Sequence, residues 1–491
     1  MGSGGEHKED PEISVFIAVL TYYSYAILVL FGHVRDYFAK LFGRSRYVQS
    51  TPKAGYSVLL KSWESFYTRR LYHRIQDCWN RPICTSPGAR IDVMERVSDN
   101  NNHTLGLSGK STTCINVGSY NYLGYADDWT KTCAKDVLGT LDSWPASMCS
   151  SRMDYGSTSL LQELESLVAN FVGKEEALVL PMGYNTNVTT LSCLMGEGTL
   201  IISDNLNHTS LVNGSRASLA QIRVFRSNDL SHLEEVLQEA IVHGQPRHHR
   251  PWKKITVVVE GIYSMEGAIC RLAGIVPIVK RYKAYLYVDE AHSIGALGTT
   301  GRGVCEYAGV NPDDVDILMG TFTKSFSGMG GYVAADKKTI AFLRACNQGM
   351  LYHNAMSPVV TQQVITAFKV IMGLDGTSIG KNKIIRLRDN SNYFREKLTE
   401  MGLHVYGDAD SPIIPVMIYL PCKIACFSRE CLKRGLAVVV VGFPATPVIL
   451  SRARFCISAG HTRKDLDDAL AIIKEVADML LMKYSNNFLG V

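Results

Sequence analysis

Short apolar runs recur through the middle of the chain: "ALVLP", "TLIIS", "ITVVVE", "AYLYVDE" and "DILMG". Stretches with helical spacing lie between several of them, such as "SHLEEVLQEAIVHG". Strands that are apolar almost throughout belong to a sheet covered on both faces. The pattern therefore predicts an α/β domain with a mostly parallel sheet. Ser159 and Gln162 read as a capping box opening "SLLQELESLVANF", with Leu160, Leu164, Leu167 and Phe171 along one face. Beyond about residue 370 the texture changes. A long amphipathic stretch, "IIRLRDNSNYFREKLTEMG", precedes shorter strands and a last helix, "TRKDLDDALAIIKEVADMLL". That pattern predicts a smaller α+β domain.

One segment has neither period. Ser14 to Phe31, "SVFIAVLTYYSYAILVLF", carries no charge and can cross most of a hydrocarbon core. Tyr22, Tyr23 and Tyr25 dilute it, so a tilted or interfacial helix stays open, and a buried core helix is the alternative. It lacks the basic start and small-residue cleavage site of a signal peptide. Residues 1–12 are mostly acidic, whereas Arg35, Lys40, Arg44, Arg46 and Lys53 follow the run. Positive residues stay on the cytoplasmic side, which puts the body of the protein in the cytosol. Residues 33–75 are basic and aromatic, and fit either a membrane surface or a solvated linker.

Composition narrows the picture. The 491 residues allow two or three packed domains, and a net charge of +5 gives no case for nucleic acid. The 13 cysteines are scattered without a CxxC pair, as expected of reduced thiols in cytosol. Sequons occur at Asn102, Asn187, Asn207 and Asn213, and a cytosolic body would leave all four unmodified.

In buried α/β sheets, ligands sit at the carboxyl ends of the strands. Those ends carry Met182-Gly183-Tyr184, Asp204 followed by His208, Glu260 followed by Ser264, then Asp289, Glu290 and His292, and finally Thr321, Thr323 and Lys324. No pair has HExxH spacing, which weighs against a metal site among His208, Asp289 and His292. A lysine at the end of an apolar strand has a better account. Its neutral amine can form a Schiff base with a carbonyl cofactor, and pyridoxal 5'-phosphate needs three things: that lysine, an acid facing the ring nitrogen, and donors for the phosphate. Asp289 suits the ring nitrogen, and His208 suits one face of the ring. Gly183 and Tyr184 open a helix, "YNTNVTTLSCLM", whose first amides suit phosphate.

The motifs "VGSYNYLGYA", "SDNLNHTSLVNG", "VVVEGIYSMEG", "YVDEAHSIGALGTTGRG" and "GTFTKSF" resemble those of the α-oxoamine synthases, a fold-type I pyridoxal phosphate family. Within it, "GQPRHHRPWKK", "TFTKSF" and "GFPATPVILSRARFCISAGH" are similar to the cofactor-carrying subunit of serine-using members, most closely plant forms. The resemblance implies a decarboxylating condensation of L-serine with a long-chain acyl-CoA. Other members use glycine or alanine, and a non-catalytic scaffold subunit is a further alternative. It implies Lys324 as Schiff-base lysine and proton carrier, Asp289 on the ring nitrogen, and His292 on the ring hydroxyl. His208 would stack on the ring and meet the substrate carboxylate. Gly183, Tyr184 and Thr321 would line the phosphate, with Ser264 also in the cofactor site. Arg454 would bind the substrate carboxylate, with Arg452 as fallback.

It also implies an endoplasmic reticulum membrane protein paired with a homologous non-catalytic subunit, with small activating and regulatory membrane subunits as further partners. Two departures stand out. Asn354 and Ala355 replace the usual Thr and Ser, a pair that typically reaches the phosphate in the partner's site. "YGSTSLLQELE" lacks the usual His before "ELE". The resulting division is a tail (1–13), a membrane helix (14–31), a basic juxtamembrane segment (32–75), the N-terminal part of the small domain (76–145), a large cofactor-binding domain (146–370) and the rest of the small domain (371–491).

Overall fold

A computed structural model describes residues 13–42, 55–57 and 66–484. The acidic tail, Arg44, Arg46 and Lys53 lie outside the described residues. The chain begins with helix α1 (Val15–Leu41). It continues well past the apolar run ending at Phe31. Gly32 packs against Phe66, His33 stacks on the same ring, and Asp36 pairs with Arg70. Those contacts carry the helix through charged residues that hydropathy alone would exclude. Its outer face is bare: Phe16, Val19, Tyr23, Leu30 and Phe31 are exposed.

Two antiparallel strands follow, β1 (Arg90–Val97) and β2 (Gly106–Asn116). The large sheet then takes β3 (Glu176–Leu180), β4 (Leu200–Asp204), β5 (Gln221–Phe225), β6 (Ile255–Glu260), β7 (Tyr285–Asp289), β8 (Ile317–Thr321) and β9 (Gly331–Ala335). Its order is β3-β9-β8-β7-β6-β4-β5. Every strand runs the same way except β9, which is antiparallel to both β3 and β8. The sheet is thus mostly parallel, as its apolar strands imply. Successive residues feed opposite cores. Ile202, Val257, Val259, Val288 and Leu318 join one cluster, while Ile201, Val258, Tyr287, Ile317 and Met319 join the other.

The C-terminal part adds β10 (Ile413–Met417), β11 (Leu436–Ala437), β12 (Val439–Val441) and β13 (Arg452–Cys456). β11 pairs parallel to β2, tying the two ends of the chain together. β13 lies between β10 and β12. Ala453 and Phe455 face the core of this part with Leu466, Ile473 and Val476 of the last helix (Arg463–Met479). Strand alternation therefore turns Arg452, Arg454 and Cys456 to the other face.

The expected capping box does not form, and a single side-chain cap one residue earlier opens the helix instead. Thr158 is the N-cap, its hydroxyl accepts the Leu161 N–H, and the buried face holds Leu161, Leu164, Val168 and Phe171. Ser159 and Gln162 look like a box in sequence, but Leu161 must face inward to meet the sheet. The thirteen cysteines are free thiols. Asn187 and Asn207 are buried, and Asn207 donates to Ser203 Oγ and the Val258 carbonyl, leaving no room for a glycan.

Candidate active site

The carboxyl ends of β4, β6, β7 and β8 lie side by side, with Glu260 opposite Asp289 and Asp289 opposite Met319. Just beyond β8, Lys324 reaches a cavity of about 710 Å³ lined also by Ser119, Tyr120, Asn121, Trp129 and Thr323. The Lys324 ammonium is 5.8 Å from the Tyr120 ring centre, and the Arg454 guanidinium is 4.8 Å from the same centre. One tyrosine thus joins the lysine of the large sheet to the arginine of β13. Burial pulls the Lys324 amine down to about 8, and the Arg454 charge adds to this, against the pull of Asp289 and Glu260.

Asp289 is buried at the end of β7. It accepts the Ala291 N–H at 2.8 Å and the Asn187 side-chain amide at 2.7 Å. His208 caps the helix Thr209–Ala217, its Nδ1 accepting the Ser210 N–H. Its own backbone N–H donates to Glu260. Burial lowers the His208 pKa, with Lys324 adding and Asp289 opposing, so the ring is held neutral. Burial pushes the Glu260 carboxyl well up, and the Asp289 charge reinforces it. His292 is buried too, with Nδ1 2.8 Å from the Tyr122 hydroxyl and the Tyr120 ring edge-on at 5.4 Å. Burial and then the Lys324 charge drive its pKa well below the ordinary value.

Gly183 opens the helix Gly183–Leu194, and no side chain caps that end. Its first amides are therefore available to a ligand. A Cβ added at Gly183 would lie 2.7 Å from Thr321 Oγ1, so only glycine keeps this corner open. Thr321 donates to the Gly330 carbonyl at 2.8 Å and lies 2.9 Å from the Thr323 hydroxyl. The Tyr184 ring stands edge-on 6.0 Å from His208, and its hydroxyl accepts from Asn213.

The two candidate arginines separate cleanly. Arg452 is spent on its surroundings: Nε donates to the Leu450 carbonyl, Nη1 to the Met265 carbonyl, and Glu266 lies at 3.3 Å. Arg454 is also buried, yet its Nε has no partner. Three other strand-end residues stand apart. Asp204 receives the Tyr263 hydroxyl at 2.7 Å, and Glu290 receives the Val304 N–H, so both brace loops. Ser264 sits half-buried in the turn after β6, and no hydrogen bond among the described residues ties it to the cluster.

The sequence reading passed over Tyr120, Tyr122, Asn187, Ser210 and Tyr287. Tyr120 and Tyr122 lie in a motif quoted for its resemblance, and Asn187 drew notice only as a sequon.

The residues fit pyridoxal phosphate. An amine of low basicity at the cavity, a buried carboxylate on the neighbouring strand end, a flat imidazole and an uncapped glycine-led helix end make up the donor set. A mostly parallel sheet with one reversed strand, bearing a lysine just past one strand end and an aspartate on the next, is the arrangement of fold-type I pyridoxal phosphate transferases. The sequence profile described as "Aminotransferase class I and II" matches residues 112–473, and the chain belongs to that family. It is 54% identical to "Long chain base biosynthesis protein 2b" of Arabidopsis thaliana, over 96% of each chain. It is 46% identical to "Serine palmitoyltransferase 3" of Homo sapiens, over 97% of this chain and 87% of that one. Among solved structures, "SPT with PLP internal aldimine" aligns at a TM-score of 0.75 and 27% identity, over 87% of this chain and 100% of that one.

Proposed function

We propose that this chain is the cofactor-carrying subunit of a serine palmitoyltransferase. It condenses L-serine with a long-chain acyl-CoA such as palmitoyl-CoA, with loss of CO2, to give 3-ketosphinganine and free CoA. That is the first step of sphingolipid biosynthesis. The observation that carries the reading is Lys324. Its weakened amine lies by the same Tyr120 ring as Arg454, whose guanidinium keeps an unpartnered Nε.

Pyridoxal 5'-phosphate, when bound, supplies the electron sink that stabilises negative charge on the serine Cα. The chain's own residues do the rest. Lys324 would hold the cofactor covalently, and its amine, when released, would stand beside the serine Cα. A neutral amine there can take the Cα proton and later return it. Asp289 would keep the ring nitrogen protonated, and His292 would face the ring hydroxyl. His208 covers one ring face. Gly183, Tyr184 and Thr321 would line the phosphate, with Ser264 also in the cofactor site. Arg454 holds the serine carboxylate. Trp129 and Tyr120 narrow the cavity, which limits water at the carbanion.

Helix α1 is apolar enough to hold the site at a membrane, where the acyl substrate and the product both partition. The lopsided charge of its flanks supports a single pass with a cytosolic body, and the likeness to serine palmitoyltransferases supports the endoplasmic reticulum as its membrane. A homologous non-catalytic subunit is the partner of this reading, with small activating and regulatory membrane subunits. Ala355 is buried and brings no hydroxyl, while Asn354 bridges Ser151, so this chain offers little phosphate support to a partner's site. The division near residues 145 and 370 rests on the sequence pattern, and the large-sheet cluster reaches across both, from Tyr122 and Val137 to Ile384 and Leu387.

The test is CoA release by the purified chain, alone and with its partner subunit. Serine with palmitoyl-CoA should be the best pair. A preference for glycine with succinyl-CoA, or alanine with pimeloyl-CoA, would overturn the substrate assignment.

A further inference from the structure

A run of hydrogen bonds behind the cavity connects Asp289 to His208 through residues that touch neither the lysine nor the arginine. It starts at Tyr287, whose hydroxyl donates to Asn187 Oδ1 at 2.8 Å. That bond fixes which way the Asn187 amide points. Its Nδ2 then donates twice, to Asp289 Oδ2 at 2.7 Å and to Ser210 Oγ at 2.9 Å. Having accepted that bond, Ser210 Oγ keeps one proton of its own to give. His208 Nδ1 lies 2.8 Å away and takes it. The Ser210 backbone N–H points at the same nitrogen, at 3.2 Å. Two donors converge on Nδ1, so Nδ1 carries the lone pair and the ring proton sits on Nε2.

The part of the run behind the His208 ring is sequestered. Asn187 is 2% exposed, Ser210 1% and Tyr287 0%, so water does not substitute for a lost partner. Reversing any one bond would leave two donors or two acceptors facing each other. The order is therefore fixed from Tyr287 to His208.

We propose that Asn187 and Ser210 are positioning residues that set the tautomer of His208, presenting its Nε2–H to the cavity as a hydrogen-bond donor. The consequence rests on the reading that His208 faces the cofactor and serine. An Nε2–H can donate to a carboxylate, whereas the other tautomer would aim a lone pair at it. Burial, which disfavours the imidazolium, keeps the neutral ring in which this choice matters. The same Asn187 amide also holds Asp289, so one side chain orients both the group facing the ring nitrogen and the group covering the ring.

The experiment starts with the unmutated full chain. Nitrogen NMR of ring-labelled histidine, with the His208 signals assigned by their loss in His208→Gln, reads the tautomer directly. The Nε2–H form is expected at neutral pH. An Nδ1–H form or an imidazolium would overturn the proposal, whatever any variant does. In Ser210→Ala and Asn187→Ala the Nε2–H population should fall. Serine affinity, read from the absorbance change of the loaded protein, should weaken about five- to tenfold. Ser210→Thr keeps the hydroxyl and should restore both. Variants that keep the wild-type tautomer would sink the relay. A shifted tautomer with unchanged serine affinity would leave the relay standing and instead remove His208 from the serine site.

Discussion

The two sides of Lys324, two walls formed by the large sheet and by β13, differ in how fully their polar groups are bonded. On the large-sheet wall, Asp289, Asn187, Ser210 and His208 each find protein partners. On the β13 wall, Arg454 is equally buried but keeps an unpartnered Nε. Leaving a buried donor bare costs about 1–3 kcal/mol. A saturated wall is finished by folding alone and serves to orient. An unsaturated wall is finished only by a ligand, and a carboxylate matches a guanidinium best. Arg452, two residues from Arg454 on the same strand face, shows that the vacancy is local, because it donates to Leu450, Met265 and Glu266.

The sharpest break of this comparison is Lys324→Ala, which removes the one amine between the walls. Turnover should fall by roughly a thousandfold or more while the fold holds. Borohydride treatment of the wild-type chain should leave its pyridoxyl adduct on Lys324, read by mass spectrometry, and an adduct on another lysine would refute the assignment. Asp289→Asn alters the saturated wall at its charge. The amide cannot hold the ring proton, so deuterium exchange at the serine Cα should slow on the order of a hundredfold. Binding of serine should change little. Normal exchange would count against the role of Asp289.

The arginine pair tests the unsaturated wall. Arg454→Ala should raise KM for serine about tenfold to a hundredfold, the loss of a charge-assisted bond, and shift the melting temperature little. Arg452→Ala should do the reverse, lowering stability because it strands the Met265 and Leu450 carbonyls. Kinetics and thermal melts on both variants decide this. Equal KM changes would erase the distinction between the two residues.

What the sequence made legible follows the same division. Strands buried on both faces are apolar throughout, so β3, β4, β6, β7 and β8 stood out. β5 is the sheet edge with Ile222 and Val224 exposed, and its "QIRVF" lacks that signature. β9 is led by glycine and ends in two alanines, and its reversal is set by pairing with β3 and β8 rather than by composition. Charged residues at strand ends were legible because burial of a charge demands a reason. Asn187 and Tyr122 were not. They are neutral, and their meaning comes from partners 102 and 170 residues away in sequence.

The finest test uses the basicity of Lys324, which feels both walls. Its amine is lowered from 10.5 to about 8 mainly by burial. The Arg454 charge lowers it further, while the Asp289 and Glu260 charges oppose. Only the neutral amine attacks a carbonyl. Combination of the cofactor-free chain with pyridoxal phosphate, followed by stopped-flow absorbance, should therefore speed up about tenfold per pH unit below 8 and flatten above. Removing Arg454 takes away a repelling positive charge, so protonation becomes easier and the break moves to higher pH. Removing the Asp289 charge takes away an attracting negative one, and the break moves lower. Both movements should be small, because neither charge is the main cause. Opposite movements in Arg454→Ala and Asp289→Asn would place Lys324 between the two walls electrostatically as well as in space. A break that stays put in both would show that burial alone sets the amine, and that the two walls act on the substrate without acting through the lysine.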